Sequence, residues 1–484
     1  YVYSLKRHYD PRWNSPNLYR LEAAKILGLS ELRRQVLKDK KPFPYEREVE
    51  GLRALDRYTF QVRLAEPSPR FHQDVMTDAG NFGALAREVV EAYKDKIPEH
   101  PVGTGPYRLV AWKRSSKITF DRNPNFREQY YDLQPPAGDA RSQAIAAALK
   151  GQRLPMIDRI EVSIIEESQP RWLSFLNGQQ DFLERLPNEF APLAIPNNQL
   201  APHLKKRGIQ IERVPLADVT FSYFAMEHPV VGGYTPDKVA LRRALALAYD
   251  SNQEIMLTRK GHAVPAQSIV PPLLTGYDPA LKTEMSEYSV ARARALLDLY
   301  GYVDKDGDGF RDRPDGQPLV LEYATQPDQA SRAAIEQWKK NMDAVGIRIV
   351  FKTAKWPENL KASTAGKLMM WGVGWSATTP DGDTFLALAY GPNKGGANHA
   401  RFDLPAFNTL YAQQSTMPDG PERARVMEEA SKLMVAYVPY KLSTHRIVTD
   451  LMQPWVIGFR RNPFVREFYK YVDVDPAIRE REAR

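Results

Sequence analysis

The sequence predicts an α/β protein of two or three folded lobes on parallel or mixed sheets, and three observations predict it. At 484 residues the chain outgrows a single hydrophobic core, since cores stop enlarging at roughly 250–300 residues. Leu319 to Lys352 reads strand, helix, strand, the unit that makes right-handed crossovers between parallel strands. Gly103 to Arg122, GTGPYRLVAWKRSSKITFDR, alternates apolar and polar residues about a polar turn, as a β-hairpin does.

In that hairpin Tyr107, Leu109 and Ala111 fall on one side and Ile118 and Phe120 answer them, with glycines and Pro106 making a tight entry. Polar residues from Gln134 to Arg153 form an insertion, part of it helical. Ile160 to Ile165 is a strand, and Gln169 to Asn177 a helix ended by Gly178. Thr235 and Pro236 supply the N-cap and first-turn proline of a helix reaching Tyr249. Ser289 caps another, which stops at Gly301. After a strand from Leu319 to Ala324, Ser331 caps a helix carrying Ile335, Trp338, Met342 and Val345 at helical spacing. Those residues belong to the core rather than to a cofactor site. Gly346 ends the helix and Ile347 to Lys352 is the next strand. WGVGWSATTPDGDTF, Trp371 to Phe385, reads as a strand that bends sharply into a polar loop. Trp371, nearer the strand's centre, is expected in the core, and Trp375, beside the bend, on the wall of a small-molecule cleft.

Composition excludes several classes. Cysteine is absent, so disulfides, thiolate metal sites and cysteine nucleophiles are ruled out. No stretch approaches the ~18 apolar residues of a membrane span. The net charge is +8 and the pI about 9.2, yet acidic residues are interspersed along the chain. Its basic clusters are short, such as Lys205, Lys206 and Arg207, and no nucleic-acid partner is expected. The opening YVYSLKRHYDPRW carries no initiator methionine and no export signal, so a preceding N-terminal segment is expected.

Two motifs carry chemistry. In DKDGDGFRDRPD, Asp304 to Asp315, the residues Asp304, Asp306 and Asp308 alternate ahead of Gly309 as in a calcium loop, which makes it a candidate structural calcium site. Asp315 stands where such loops carry a longer glutamate, and a strand follows instead of a helix. No other metal site or cofactor is expected, because the histidines are scattered and no phosphate-cradling loop occurs. Gly374 to Thr378 approximates the G-x-S-x-G elbow, with Asp403 and His445 downstream in hydrolase order, so a serine hydrolase using Ser376 is the alternative function. Thr378 replaces the closing glycine, and Pro380-Asp381-Gly382 interrupts the helix that the elbow requires.

Several stretches occur together, in this order, in one family. They are VYSLKR at the start, GTGPYRLVAWKR with ITFDRNPNF, SFLNGQQDF, ALRRALALAYDSNQEI, GYVDKDGDGFRDRPDGQPL, GWSATTPDGDTF and QPWVIGF. Through them the chain resembles the extracellular solute-binding proteins of family 5, the dipeptide- and oligopeptide-binding receptors of ABC importers. The resemblance covers almost the whole chain. It implies the two-lobed periplasmic-binding-protein fold, α/β with mixed sheets and a hinge, whose first lobe is discontinuous. Lobe I would take residues 1–222, short of its N-terminal part, lobe II residues 223–445, and residues 446–484 would return to lobe I. The crossings would lie near Phe221 to Met226 and near His445. A monomeric periplasmic receptor is implied, not an enzyme, with a peptide or other small solute and an inner-membrane ABC permease as partners. The calcium candidate becomes a loop after a helix in lobe II.

In peptide-binding members the segment matching GWSAT lines the cleft, its tryptophan packing on the ligand and an aspartate just after it pairing with the peptide's α-ammonium. Trp375 matches the tryptophan, and Thr378 stands where the aspartate would be. Ser376 and Thr378 are then expected as hydrogen-bonding groups and Asp381 or Asp383 as the replacement cation partner. Asn398 is a further contact from the glycine-rich loop, and Tyr223 and Met226 the cleft's floor.

Overall fold

The computed structural model describes residues 1–465 and 468–482. Its N-terminal module packs helices Val2–Tyr9 and Leu29–Asp39 with two short antiparallel strands, β1 (Leu52–Ala54) and β2 (Phe60–Val62). Leu5 and Tyr9, one helical turn apart, turn inward together and meet Leu29, Leu52 and Phe82 in a separate core.

The predicted hairpin forms from β3 (Tyr107–Lys113) and β4 (Lys117–Arg122), with Leu109 opposite Phe120, and β5 (Arg159–Ser163) adds a third antiparallel strand. The polar insertion contains helix Ala140–Leu149, whose first turn is capped by the Asp139 carboxylate accepting from the Ser142 amide.

The main sheet is made of β6 (Phe182–Leu183), β7 (Gln210–Pro215), β8 (Asp218–Phe224), β9 (Ala263–Pro265), β10 (Val320–Thr325), β11 (Arg348–Thr353), β12 (Met370–Ser376) and β13 (Tyr440–Met452). Its order is β11-β10-β12-β8-β13-β6, with β7 and β9 also on β13. β10 is parallel to β11 and β12, while β8 is antiparallel to β12, so the sheet is mixed as expected. The crossover helix between β10 and β11 runs Gln329–Asp343 and buries Trp338 and Met342. Its cap is Asp328, not Ser331. A carboxylate accepts the Ser331 amide at 2.8 Å, and the Ser331 hydroxyl bonds back to it at 2.9 Å.

β13 joins two cores. Its first half, Tyr440 to Thr444, pairs with β8, and its second half, Ile447 to Met452, pairs with β7. Tyr440 and Leu442 lie in a large core with Phe221, Leu321, Trp338 and Trp371. Leu451 instead packs with Trp172, Phe175 and Leu204. The chain therefore passes between the cores at Leu216–Ala217, between β7 and β8, and again near His445. The first crossing precedes the expected Phe221 to Met226, because Ala217, Val219 and Phe221 already belong to the larger core.

The N-terminal module is pinned to that core by Arg70, which is 5% exposed. Its guanidinium donates to the carbonyls of Gln414, Ser415 and Met417 at 3.2, 2.8 and 3.0 Å, at the end of helix Pro405–Thr416. A cation at a helix C-terminus satisfies orphan carbonyls and meets the favourable end of the dipole.

Candidate functional site

At the crossings one carboxylate holds both strands. Asp218 is fully buried, and it accepts from Nε of Arg446 at 2.8 Å and from the Arg446 amide at 3.1 Å. The imidazole Nδ1 of His445 lies 2.8 Å from the Asp218 carbonyl, and the Leu216 amide donates to the Arg446 carbonyl at 2.8 Å. Ser376, at the end of β12, is the register partner of Asp218.

Ser376, Asp218 and Arg446 face Arg171, Arg185 and Tyr469 across a cavity of about 680 Å³. Both halves of the chain contribute to it. Two of its cations are satisfied: Arg446 by Asp218, and Arg461 by Asp450 at 2.5 Å and Glu184 at 3.1 Å. Burial raises the Asp450 carboxyl above its ordinary range, against the pull of Arg461. The Arg185 amide donates to Asp450 at 2.9 Å, but among the described residues no carboxylate lies within salt-bridge distance of the guanidinium of Arg171 or of the exposed Arg185. Arg171 Nε is buried without a hydrogen-bond partner. A buried donor of this kind costs about 1–3 kcal/mol until something accepts from it, so the cavity favours an anionic or carbonyl-bearing occupant.

β12 reaches this cavity because it runs through the middle of the sheet. A side chain at Gly372 would place its Cβ 2.3 Å from the Tyr323 hydroxyl, which bonds Ser222 Oγ at 2.7 Å. Glycine there is what lets the strand lie against Tyr323. Trp371 is 1% exposed and packs on Trp356, whereas Trp375 is half-buried at the strand's open end. Trp375 meets His399 edge-on, with centroids 6.4 Å apart. The His399 ring stacks on Tyr223 at 6.1 Å and its Nδ1 lies 3.0 Å from Ser363 Oγ. Burial lowers its pKa to about 4, so it is neutral at pH 7. Sequence reasoning missed His399, since an isolated histidine in a glycine-rich loop carries no spacing signal.

The remaining expected residues separate. Thr378 is half-buried on the loop. Asp381 is 3% exposed and bound bidentately by Arg423, so it is not free to meet a ligand cation. Asp383 accepts from Gln414 and lines a second cavity, together with Asp74 of the N-terminal module. Asn398 is fully buried and staples its own loop, donating to the carbonyls of Tyr390 and Phe402 and accepting the Phe402 amide, rather than facing a ligand. Tyr223 and Met226 are buried too. Tyr223 acts as support beneath His399, its hydroxyl 2.7 Å from Ser363 Oγ, and neither residue lines the hinge cavity.

The elbow does not assemble. Ser376 ends β12 without a hydrogen bond to His445, whose Nδ1 is occupied by a backbone carbonyl. Asp403 is engaged by Lys394 and Asn408. In the calcium candidate, Asp304, Asp306 and Asp312 offer oxygens within 4.8 Å of one another. Asp308 instead pairs with Arg348 at 2.8 Å, and Asp304 accepts the Gly307 and Gly309 amides. Among the described residues no helix is long and apolar enough to cross a membrane.

Comparison with known proteins agrees with this architecture. The chain is 24% identical over 399 residues to the oligopeptide-binding protein OppA of Bacillus subtilis, covering 80% of this chain and 64% of that protein. It is 22% identical over 435–436 residues to the dipeptide-binding protein of Escherichia coli and to di/tripeptide-binding protein 2 of Pseudomonas aeruginosa, covering 88% of this chain and 72% of each. The chain thus spans 64–72% of the length of these relatives. Among solved structures, Haemophilus influenzae OppA in complex with RPPGFSPFR superposes with a TM-score of 0.73 at 20% identity, over 98% of this chain and 83% of that one. The murein tripeptide binding protein MppA of Escherichia coli gives 0.72 at 20% identity, over 98% and 82%. Residues 1–397 match the family of bacterial extracellular solute-binding proteins, family 5, and the chain belongs to that family.

Proposed function

We propose that this chain is the substrate-binding receptor of an ABC importer, capturing a peptide or peptide-like solute between its lobes and delivering it to an inner-membrane permease. It works as a periplasmic monomer and carries out no bond chemistry. Relatives named for oligopeptide, dipeptide and tripeptide binding support the solute class. The observation that carries the reading is the hinge cavity, where Ser376 at the end of β12 and Asp218 and Arg446 at the crossings face the unpaired Arg171 and Arg185. A peptide carboxylate or carbonyl satisfies those donors. Ligand binding then favours closure by as much as its affinity differs between the two states.

The test is a titration with a mixture of short peptides, followed through tryptophan emission and through the radius of gyration in solution. Saturable quenching that is lost in Arg171→Ala, a residue lining the hinge cavity, with a smaller radius on binding, supports the proposal. Quenching by fluorophosphonate labelling of Ser376, with no response to peptides, would replace it with the hydrolase alternative.

A further inference from the structure

A second cavity, of about 220 Å³, lies on the seam between the N-terminal module and the larger core. Asp74 enters it from the module and Asp383 from the loop after β12, with Tyr19, Tyr390 and Tyr411 around them. The rings of Tyr390 and Tyr411 stack at 4.3 Å.

Its ion pairs do not balance. Arg20 is taken by Asp78 at 2.7 Å, and Arg423 by Asp381. Arg70 is spent on helix carbonyls, on Asp419 at 3.4 Å and on Asp381 at 4.0 Å. Lys25 pairs with Glu66 at the mouth. Among the described residues Asp74 and Asp383 have no cationic partner within salt-bridge distance; their hydrogen bonds come from Thr379 and Gln414. Burial, and then the charges of Asp383 and Asp381, push Asp74 up to about 6 against the pull of Arg20 and Arg70. Burial and the charge of Asp381 raise Asp383 against the pull of Arg70 and Arg423. An independent sign is Thr384, which lines the same cavity at 7% exposure and whose hydroxyl has no hydrogen-bond partner. Two unpaired carboxylates, an orphan hydroxyl and tyrosine rings form the setting of a cation that also donates hydrogen bonds.

We propose that the seam between Asp74 and Asp383 binds a primary ammonium group of an organic solute. The ammonium's three N–H donors match the two carboxylates and the Thr384 hydroxyl, and its charge removes their mutual repulsion across the seam. An inorganic cation fits less well: the one group of three carboxylates placed to share a metal ion among the described residues is at Asp304, Asp306 and Asp312. Thr378 does not line this cavity, so the site is separate from that position.

The test is calorimetric titration with 1,4-diaminobutane, with 1,4-butanediol as its uncharged counterpart and potassium and calcium chloride as inorganic cations. Saturable binding of the diamine alone is expected, weakened about tenfold in Asp74→Asn and in Asp383→Asn. The diamine's stabilising effect on melting temperature should vanish in Asp74→Asn, a second readout that survives if Asp383→Asn folds poorly. Binding of diol and diamine alike, displacement by either salt, no binding at all, or binding untouched by both variants would each overturn the proposal. The peptide titration is checked with Arg171→Ala, and Arg171 does not line this cavity, so it fails or succeeds independently of this one.

Discussion

Asp381 and Arg423 form a bidentate ion pair, both contacts at 2.7 Å, with side-chain exposures of 4% and 0%. The pair ties the loop after β12 to helix Pro421–Tyr437. Arg423 also donates to the carbonyl of Gln414 at 3.2 Å, so one guanidinium fixes the loop and the neighbouring helix end together. Removing one partner leaves the other charge buried. Arg423→Met should destabilise the protein by about 3–5 kcal/mol in chemical denaturation, and adding Asp381→Asn to it should recover part of that loss. A double variant no more stable than the single one would contradict this.

Gly372 sits where a side chain would strike the Tyr323 hydroxyl. Gly372→Ala should break the Ser222 to Tyr323 hydrogen bond and shift the sheet, costing on the order of 1–3 kcal/mol. Tyr323→Phe in the same chain should restore part of it, because the oxygen that clashes is gone. Equal melting temperatures for Gly372→Ala and the parent would refute the close approach.

His399 should make stability fall on acidification. Its pKa in the fold is about 4 against an ordinary 6.5, because burial disfavours the imidazolium. The unfolded chain therefore takes up this proton first. The contribution of His399 is complete above about pH 6.5 and is lost as pH drops toward 4, on the order of 3 kcal/mol. His8, also lowered to about 4 by burial, acts in the same direction. Asp74, pushed up to about 6, acts in the opposite one. Comparison with His399→Gln isolates the term: between pH 7 and 4 the variant should lose less stability than the parent. Parallel curves would mean that the imidazole is not desolvated.

Much of the fold was legible because local pattern and final structure agree. The hairpin with Leu109 opposite Phe120 and the strand–helix–strand from β10 to β11 follow from periodicity two and periodicity 3.6. Trp371 in the core and Trp375 beside the open end followed from their places along one strand. What sequence could not give was partnership at a distance. Asp381 looked available until Arg423, far along the chain, was brought against it, and Asn398 until it met the carbonyls of its own loop. Asp328 took the cap from Ser331 because the helix begins three residues earlier, where its carboxylate accepts the Ser331 amide, a boundary that the apolar pattern does not register. The unpaired arginines of the hinge cavity and the Asp74 to Asp383 seam join residues from distant parts of the chain, and no motif announces them.

The measurement that tests the central claim most directly is a mass spectrum of the small molecules released from protein purified without denaturant. A ladder of short peptide masses is expected, depleted when Arg171→Ala is purified in the same way. A single non-peptide mass, or the same ladder from the variant, would contradict peptide capture at the hinge cavity.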